Sequence, residues 1–456
     1  MATRTNNRRQ NKTARDLALD VLLSVEEQAA YSNLALQSAL ANHRLDPKDA
    51  SLVTEIVYGT IQRLNTLDYR LHFFLKQPLA KLDGWVRNLL RMSVYQIDYL
   101  DRVPDFAVIH EAVEIAKRRN SRLAGFVNAV LRNLLRAGAA KFPSAEKEPT
   151  RHLSLLYSHP EWLLAEWVEQ YGFEETTRIL EANNGRPHLS LRANRMRGDR
   201  EALQTALQKR GIESALSEVS PDGIVLKTGV DIAHLPEFQA GLCTVQDESS
   251  MLVALSVNPQ PGMRILDACS APGGKTTHLA ECMNDDGEVV AVDIHEHKTK
   301  LVQHAAERLG LRSIRTEVGD AAELSAKWAQ QFDAVLLDAP CSGFGVIRRK
   351  PDIKWRKTMS DVDAIHTTQL SLLRHAADAV KPGGVLVYST CTIERKENQQ
   401  IVRTLLEERS DFSIEPLDRY LPEAVVQKAG QPDGWLQLLP HHFGTDGFFI
   451  CRMRKM

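Results

Sequence analysis

Two cysteines, 50 residues apart in a chain of 456, are the residues best placed for covalent chemistry: Cys341 in Asp338-Ala-Pro-Cys-Ser-Gly343 and Cys391 in Ser389-Thr-Cys-Thr392. Each follows an apolar run of strand length, Phe332-Asp-Ala-Val-Leu-Leu-Asp338 and Gly384-Val-Leu-Val-Tyr388. Most free cysteines are small buried hydrophobes. Two in polar turns at the ends of strands, beside a pocket of nucleotide type, point instead to an activated thiol that forms a covalent intermediate. A shared metal is disfavoured, because no histidine or further cysteine stands nearby at ligand spacing. Residue types alone do not say which of the two attacks.

A second motif supplies a ligand site. Leu266-Asp-Ala-Cys-Ser-Ala-Pro-Gly-Gly-Lys-Thr276 follows a strand and opens a helix. Small residues there let the backbone approach a ligand closely, and free N–H groups at the helix start receive its polar atoms. The candidate contacts are Cys269, Ser270, Ala271, Pro272, Gly273, Gly274 and Lys275. Gly274-Lys275-Thr276 suggests a phosphate-binding P-loop, but that motif needs a glycine where this chain has Cys269, and the dinucleotide spacing of glycines is absent as well. Asp293 ends the next apolar strand, 26 residues after Asp267, where an acid binds two ribose hydroxyls. Asp320, in Gly319-Asp320, follows a third strand candidate at the height of an adenine amino group. One such acid is as easily a helix cap. Three acids after three successive strands are a stronger signal, because ligands of open α/β sheets sit at the carboxyl ends of strands.

The elements that position these groups are legible from apolar periodicity. Runs at 264–267, 289–293, 332–338 and 384–388 alternate with helix-period segments, which predicts a parallel, doubly wound sheet with both faces covered. The tail Thr445–Arg452 reads as a final edge strand. Residues 13–136 read as helical almost throughout, with Leu17, Val21 and Val25, then Ile109, Ala112 and Ala116, then Val127, Leu131 and Leu134 at helical spacing. Residues 142–150 are polar, bounded by prolines, and read as a linker. The expected organisation is an all-α domain at 1–142, a small α+β domain at 150–240 and an α/β Rossmann-like domain at 241–456.

Composition adds boundaries. No stretch is apolar and long enough to span a bilayer, and the basic, polar N-terminus lacks the apolar core of a secretory signal. Six scattered cysteines without a Cys-x-x-Cys pair are neither a disulfide framework nor a zinc signature, so a reducing cytoplasm is expected. The formal net charge is -1, yet basic residues cluster at 4–15, at 117–141 and at 348–357. Any one cluster is as readily a solvated helix face; three together suggest a polyanionic partner.

The motifs DACSAPGGKTTHLAE, VDIHEHK, LLDAPCSGFGVIRRKPDIKW and VYSTCTIERKENQQIV resemble the series found in RNA (cytosine-5)-methyltransferases of the NOL1/NOP2/Sun group. The helical front resembles the NusB antitermination factor, an RNA-binding fold. One departure is Ser270, where alanine is the more frequent residue of the series. The resemblance implies a class I methyltransferase domain that uses S-adenosylmethionine and a monomer that needs no metal. It implies small-subunit (16S) ribosomal RNA as partner and Cys391 as nucleophile. Cys341 then assists release of the enzyme, Asp338 serves ring nitrogen 3 of the cytosine, and Lys275 orients Asp338 or the base. Carbon 5 of cytosine is a poor nucleophile; a thiolate adding to carbon 6 makes the ring an enamine able to attack an electrophilic methyl. The base must be unstacked for this, so a loop or single-stranded site is expected, with Phe344, Trp355 and the surrounding arginines as candidates to stack on and clamp the strand; the alternative for Trp355 is that it packs the fold. A transfer RNA substrate, or an RNA-binding assembly factor without catalysis, are the alternative readings.

Overall fold

The computed structural model describes residues 12–323, 327–430 and 434–456 and divides into two compact units. The basic residues Arg4, Arg8 and Arg9 lie outside the described residues.

The first unit runs to Leu180 and also takes in Lys350–Arg356 from the later chain. Its front is six helices: α1 Ala14–Glu27, α2 Ser32–Asn42, α3 Pro47–Gln62, α4 Leu64–His72, α5 Gly84–Tyr99 and α6 Asp105–Ala137. Local chemistry sets their starts. Thr13 and Asp16 form a reciprocal capping box on α1, and Asp46 caps α3 with Pro47 at its first position. Helix α6 breaks at Asn120, whose backbone leaves the helical region. The predicted stripes close on one core containing Leu17, Val21, Ala112, Val127 and Leu131. Full burial of each aliphatic side chain contributes about 1.5–3 kcal/mol. The stretch between Ala137 and the next helix, Pro149–Tyr157, is irregular but anchored: Tyr69 donates to the Lys141 carbonyl at 3.0 Å and its ring stacks on Phe142.

Lys350–Arg356 is built into this unit by its own side chains. Trp355 Nε1 donates to the Ile61 carbonyl at 2.7 Å, and the buried Lys354 Nζ donates to the Gln62 carbonyl at 2.9 Å. Asp352 accepts from Ser32 Oγ at 2.5 Å, and Arg356 caps the carbonyls of Ala29 and Ala30. Trp355 therefore packs the fold.

The second unit holds two sheets. The smaller is antiparallel, order β2-β3-β1-β4, from β1 Leu189–Ala193, β2 Ser214–Leu216, β3 Gly223–Leu226 and β4 Cys243–Val245. The larger has the order β10-β12-β9-β8-β5-β6-β7, with β11 also paired to β12. Its strands are β5 Arg264–Asp267, β6 Glu288–Asp293, β7 Ile314–Val318, β8 Phe332–Asp338, β9 Val380–Thr390, β10 Phe412–Ile414, β11 Leu436–Leu438 and β12 Phe448–Lys455. β5 to β9 are mutually parallel; β10, β11 and β12 run antiparallel to their neighbours. The central strands are continuous apolar runs because both faces are covered, whereas β7 at the edge has no fully buried residue. From β5 the chain proceeds outward through β6 to β7, then returns to β8 on the opposite side. The crevice between β5 and β8 is thus the topological switch point, where such sheets bind ligands.

The C-terminal strand is not at the edge. β12 lies between β9 and β10, with β11 also bonded to it. Its eight residues are buried at nearly every position, an apolar density that belongs to an interior strand.

Candidate active site

Register brings the two predicted cysteines together. Asp338, the last residue of β8, lies opposite Ser389 of β9, and the chain continues from both into polar turns. Three residues beyond Asp338 and two beyond Ser389, Cys341 Sγ and Cys391 Sγ are 3.4 Å apart. The hydrogen bond with Cys391, aided by burial, pushes the Cys341 thiol well above its usual range.

Beside this pair, Asp338 accepts from Lys275 Nζ at 2.7 Å and from Ser389 Oγ at 2.8 Å. Burial opposes the Lys275 charge, but Asp338 more than offsets it and holds the ammonium above its usual range. The Phe448 ring, 5.1 Å from Nζ, covers another side of the cation. Lys275, Asp338, Cys341 and Cys391 thus gather at the carboxyl ends of β5, β8 and β9.

The turns carrying the cysteines are clamped by residues the sequence did not single out. Buried Glu397 accepts from the Ser342 backbone N–H at 2.7 Å, and Gln369 Nε2 holds both Glu397, at 3.2 Å, and the Pro340 carbonyl, at 2.9 Å. Ser342 and Thr392 hydroxyls share a hydrogen bond of 2.8 Å, joining the two turns directly. Gly345 donates to the Cys391 carbonyl at 3.0 Å and passes so close to Gly447 that an added Cβ would lie 2.0 Å from its carbonyl oxygen. Only the side chain of glycine fits there. Glu397 lies within the motif that carries Cys391, but its role as a clamp was not legible there, because its partners Ser342 and Gln369 come from distant parts of the chain.

The second candidate site lies along β5, β6 and β7. The loop Cys269–Gly273 leads into the helix Gly274–Cys282, with Gly273 at φ 103° in the left-handed region. Ser270, the departure from the motif series, donates its hydroxyl to the Val292 carbonyl at 3.0 Å and ties this loop to β6. Buried Asp267 accepts from Thr276 Oγ1 at 2.7 Å, while its Oδ1 has no hydrogen-bond partner; burial pushes its carboxyl up to about 7. Burial and four surrounding acids push the Cys269 thiol far up. Asp293 receives the His295 N–H at 3.0 Å, and Asp320 receives the Ala322 N–H at 2.8 Å, so each caps a turn. Asp320 also lines a cavity of about 620 Å³ with Val292, Gly319, Trp328 and His375. From the smaller sheet, Arg192 reaches the start of the same helix, donating to the Gly274 carbonyl at 2.6 Å and to Glu281 at 2.7 Å. It lies 82 residues before Gly274, and nothing local in sequence links the two.

Two expectations about RNA contacts are corrected. Phe344 is fully buried and offers no face to a base. The basic cluster 348–357 is largely structural. Arg348 donates to the carbonyls of Gly444 and Thr445, and Arg349 pairs with Asp446 and Asp247. Lys354 and Arg356 are engaged as described above. In the cluster 117–141, Lys117, Arg118 and Arg119 are paired with Glu114, Asp16 and Asp20, while Arg122, Arg132 and Arg136 remain exposed along α6. Among the described residues, no helix is long and apolar enough to cross a membrane.

Comparison with known proteins agrees with this arrangement over the whole chain. The NusB family model matches residues 12–136, a ferredoxin-like domain of RsmF/B-like methyltransferases matches 159–233, and the model described as 16S rRNA methyltransferase RsmB/F matches 254–454. The chain is 47% identical over 446 residues to the probable ribosomal RNA small subunit methyltransferase B of Bacillus subtilis (strain 168), covering 97% of this chain and 99% of that one. It is 35% identical over 425 residues to ribosomal RNA small subunit methyltransferase B of Vibrio cholerae, covering 92% and 93%. The crystal structure of PH0851 superposes with a TM-score of 0.82 at 26% identity, covering 98% of this chain and 100% of that one. The chain therefore belongs to the family of 16S rRNA methyltransferases RsmB/F.

Proposed function

We propose that this protein transfers a methyl group from S-adenosylmethionine to carbon 5 of a cytosine in small-subunit ribosomal RNA through a covalent bond between Cys391 and the base. The observation that supports this most is the 3.4 Å pair of thiols beside the Lys275–Asp338 ion pair. A methyltransferase acting on a nucleophilic nitrogen or hydroxyl needs no such thiols; making carbon 5 nucleophilic does.

The residues at β5, β6 and β7 fit the methyl donor. The cavity beside Asp320 has the size of a nucleoside site, and the orphaned Asp267 oxygen is a buried acceptor awaiting a donor. Asp293 is assigned to the ribose hydroxyls, Asp320 to the adenine amino group, and Cys269–Lys275 to the loop around the methionine part. When bound, S-adenosylmethionine supplies an electrophilic methyl carbon. Asp293→Ala is expected to weaken its binding about 10- to 100-fold, the equivalent of a charge-assisted hydrogen bond of about 1.5–3 kcal/mol. Unchanged affinity in a calorimetric titration removes Asp293 from the site.

The rest of the chemistry belongs to the chain's own groups. Cys391 as thiolate adds to carbon 6. As charge builds on the ring, a proton passes from Lys275 through Asp338 to nitrogen 3. After carbon 5 has taken the methyl group, its proton must leave while the carbon–sulfur bond breaks. As that bond breaks, Cys341 gives its proton to the departing Cys391 sulfur and, as the thiolate so formed, takes the proton from carbon 5, while nitrogen 3 returns its proton through Asp338 to Lys275. Cys391 ends the cycle as a thiol and must lose a proton before the next.

Residues 1–142 serve in this reading as the RNA-binding domain, 150–240 as the connector and 241–456 as the catalytic domain. The exposed Arg122, Arg132 and Arg136 on α6 are suited to phosphate contacts. Bisulfite sequencing of small-subunit rRNA from cells with and without the protein tests the reaction. A cytosine protected only when the protein is present is expected; an identical protection pattern in both strains overturns the assignment.

A further inference from the structure

A second cluster of ionisable and nucleophilic groups lies away from the methyl-transfer residues, at the far end of the helix Gly274–Cys282. His278 and Cys282 stand one turn apart on that helix. His278 is fully buried, and its Nε2 meets Asp222 Oδ2 at 3.0 Å. Its imidazole also interacts with the Cys282 side chain. Arg195 Nη1 lies 3.3 Å from Cys282 Sγ, and its Nε is 3.4 Å from Asp222. Asp222 thus holds both cations that flank the sulfur.

We propose that Cys282, His278, Asp222 and Arg195 form a reactive-thiol site at which hydrogen peroxide oxidises Cys282 to a sulfenic acid. The order of groups is that of an activated nucleophile: the thiol, an imidazole that takes its proton, and a carboxylate that holds the imidazole and stabilises its charge. Arg195 adds a fixed positive charge at the sulfur. Burial works against the thiolate, yet the His278 and Arg195 charges outweigh it and bring the thiol below its usual range. Burial and the Arg192 charge oppose the His278 imidazolium, but Cys282 and Asp222 outweigh them and raise it above its usual range. Glu281 and Arg192 are the other charged groups beside the cluster, and they pair with each other at 2.7 Å.

Access and contrast support the assignment. Cys282 is partly exposed, and Arg195 keeps nearly half of its side-chain surface in solvent, at 46%. Cys243 and Cys451 are buried with their thiols pushed up by that burial. In the reaction the thiolate attacks one peroxide oxygen, a sulfur–oxygen bond forms and the oxygen–oxygen bond breaks. The hydroxide released takes the proton of the His278 imidazolium and leaves as water. Sulfur loses two electrons and the peroxide gains them.

The test exposes the full-length native protein to hydrogen peroxide and dimedone at pH 7 and follows each cysteine by peptide mass spectrometry. Capture at Cys282 is expected to be at least about tenfold faster than at Cys243 or Cys269, the ratio given by a one-unit difference in thiol pKa. His278→Asn and Arg195→Met are each expected to slow capture at Cys282 about three- to tenfold. Arg195 is surface-exposed, so its variant reports even if His278→Asn fails to fold. Capture at Cys282 no faster than at Cys243, or a rate unchanged in Arg195→Met, overturns the proposal.

Discussion

Cys391→Ala is expected to abolish methyl transfer, with a loss of at least about 10⁴-fold in single-turnover rate, while RNA and S-adenosylmethionine still bind. No neighbour can replace the missing sulfur. Cys341 is 3.4 Å away, but the hydrogen bond with Cys391 and burial push its thiol well above the usual range. Its turn is also fixed by Glu397 and Gln369, so its sulfur cannot swing into the vacated position without breaking buried hydrogen bonds. The variant should fold normally, because alanine removes only a sulfur and leaves the backbone bond from Gly345 to the residue 391 carbonyl. Transfer of labelled methyl to small-subunit rRNA measures the loss. Activity within tenfold of the native protein would place the nucleophile elsewhere.

Asp338→Ala is expected to lower kcat about 10²- to 10⁴-fold, the range of a positioned acid–base group, and to change the KM for RNA much less. The carboxylate has two roles in one place. It holds the Lys275 ammonium at 2.7 Å, and through Ser389 at 2.8 Å it is locked to the strand that carries Cys391. Without it a buried lysine faces Asp267 and the Phe448 ring with no direct ion-pair partner. The proton path to nitrogen 3 is then cut, and the melting temperature should fall as well. Asp338→Asn separates the two effects: an amide retains the shape and the bond with Ser389 but cannot relay a proton, so activity should stay low while melting recovers. An Asn variant with native kcat excludes Asp338 from the proton path.

The positions of both cysteines, Asp338 and Asp293 were readable because interior parallel strands are covered on both faces. Such strands appear as unbroken apolar runs, and the polar residue that ends each run marks the sheet edge where ligands gather. The place of β12 was not readable: strand character is local, whereas order in the sheet depends on pairing with β9, β10 and β11. Charge was the weakest guide. The stretch from Arg348 to Arg356 looks like a phosphate-binding patch, yet Arg348 and Arg349 are bound by carbonyls and carboxylates about 100 residues further along the chain or earlier in it, and Lys354 meets a carbonyl of α3. Glu397 and Arg192 were missed for the related reason that a buried polar group is defined by partners distant in sequence. His278 and Cys282 have helical spacing, but Asp222 and Arg195 complete their cluster from turns beside the smaller sheet.

The covalent step is tested most directly by blocking its formation and its breakdown separately. Native protein, Cys391→Ala and Cys341→Ala are each incubated with small-subunit rRNA and S-adenosylmethionine, then run on a denaturing gel. Cys341→Ala should attack and methylate but fail to release, leaving a protein–RNA adduct that survives denaturation; Cys391→Ala should form none. An adduct from Cys391→Ala and none from Cys341→Ala would reverse the two roles, and no adduct from either, with methylation intact in both, would contradict covalent catalysis altogether.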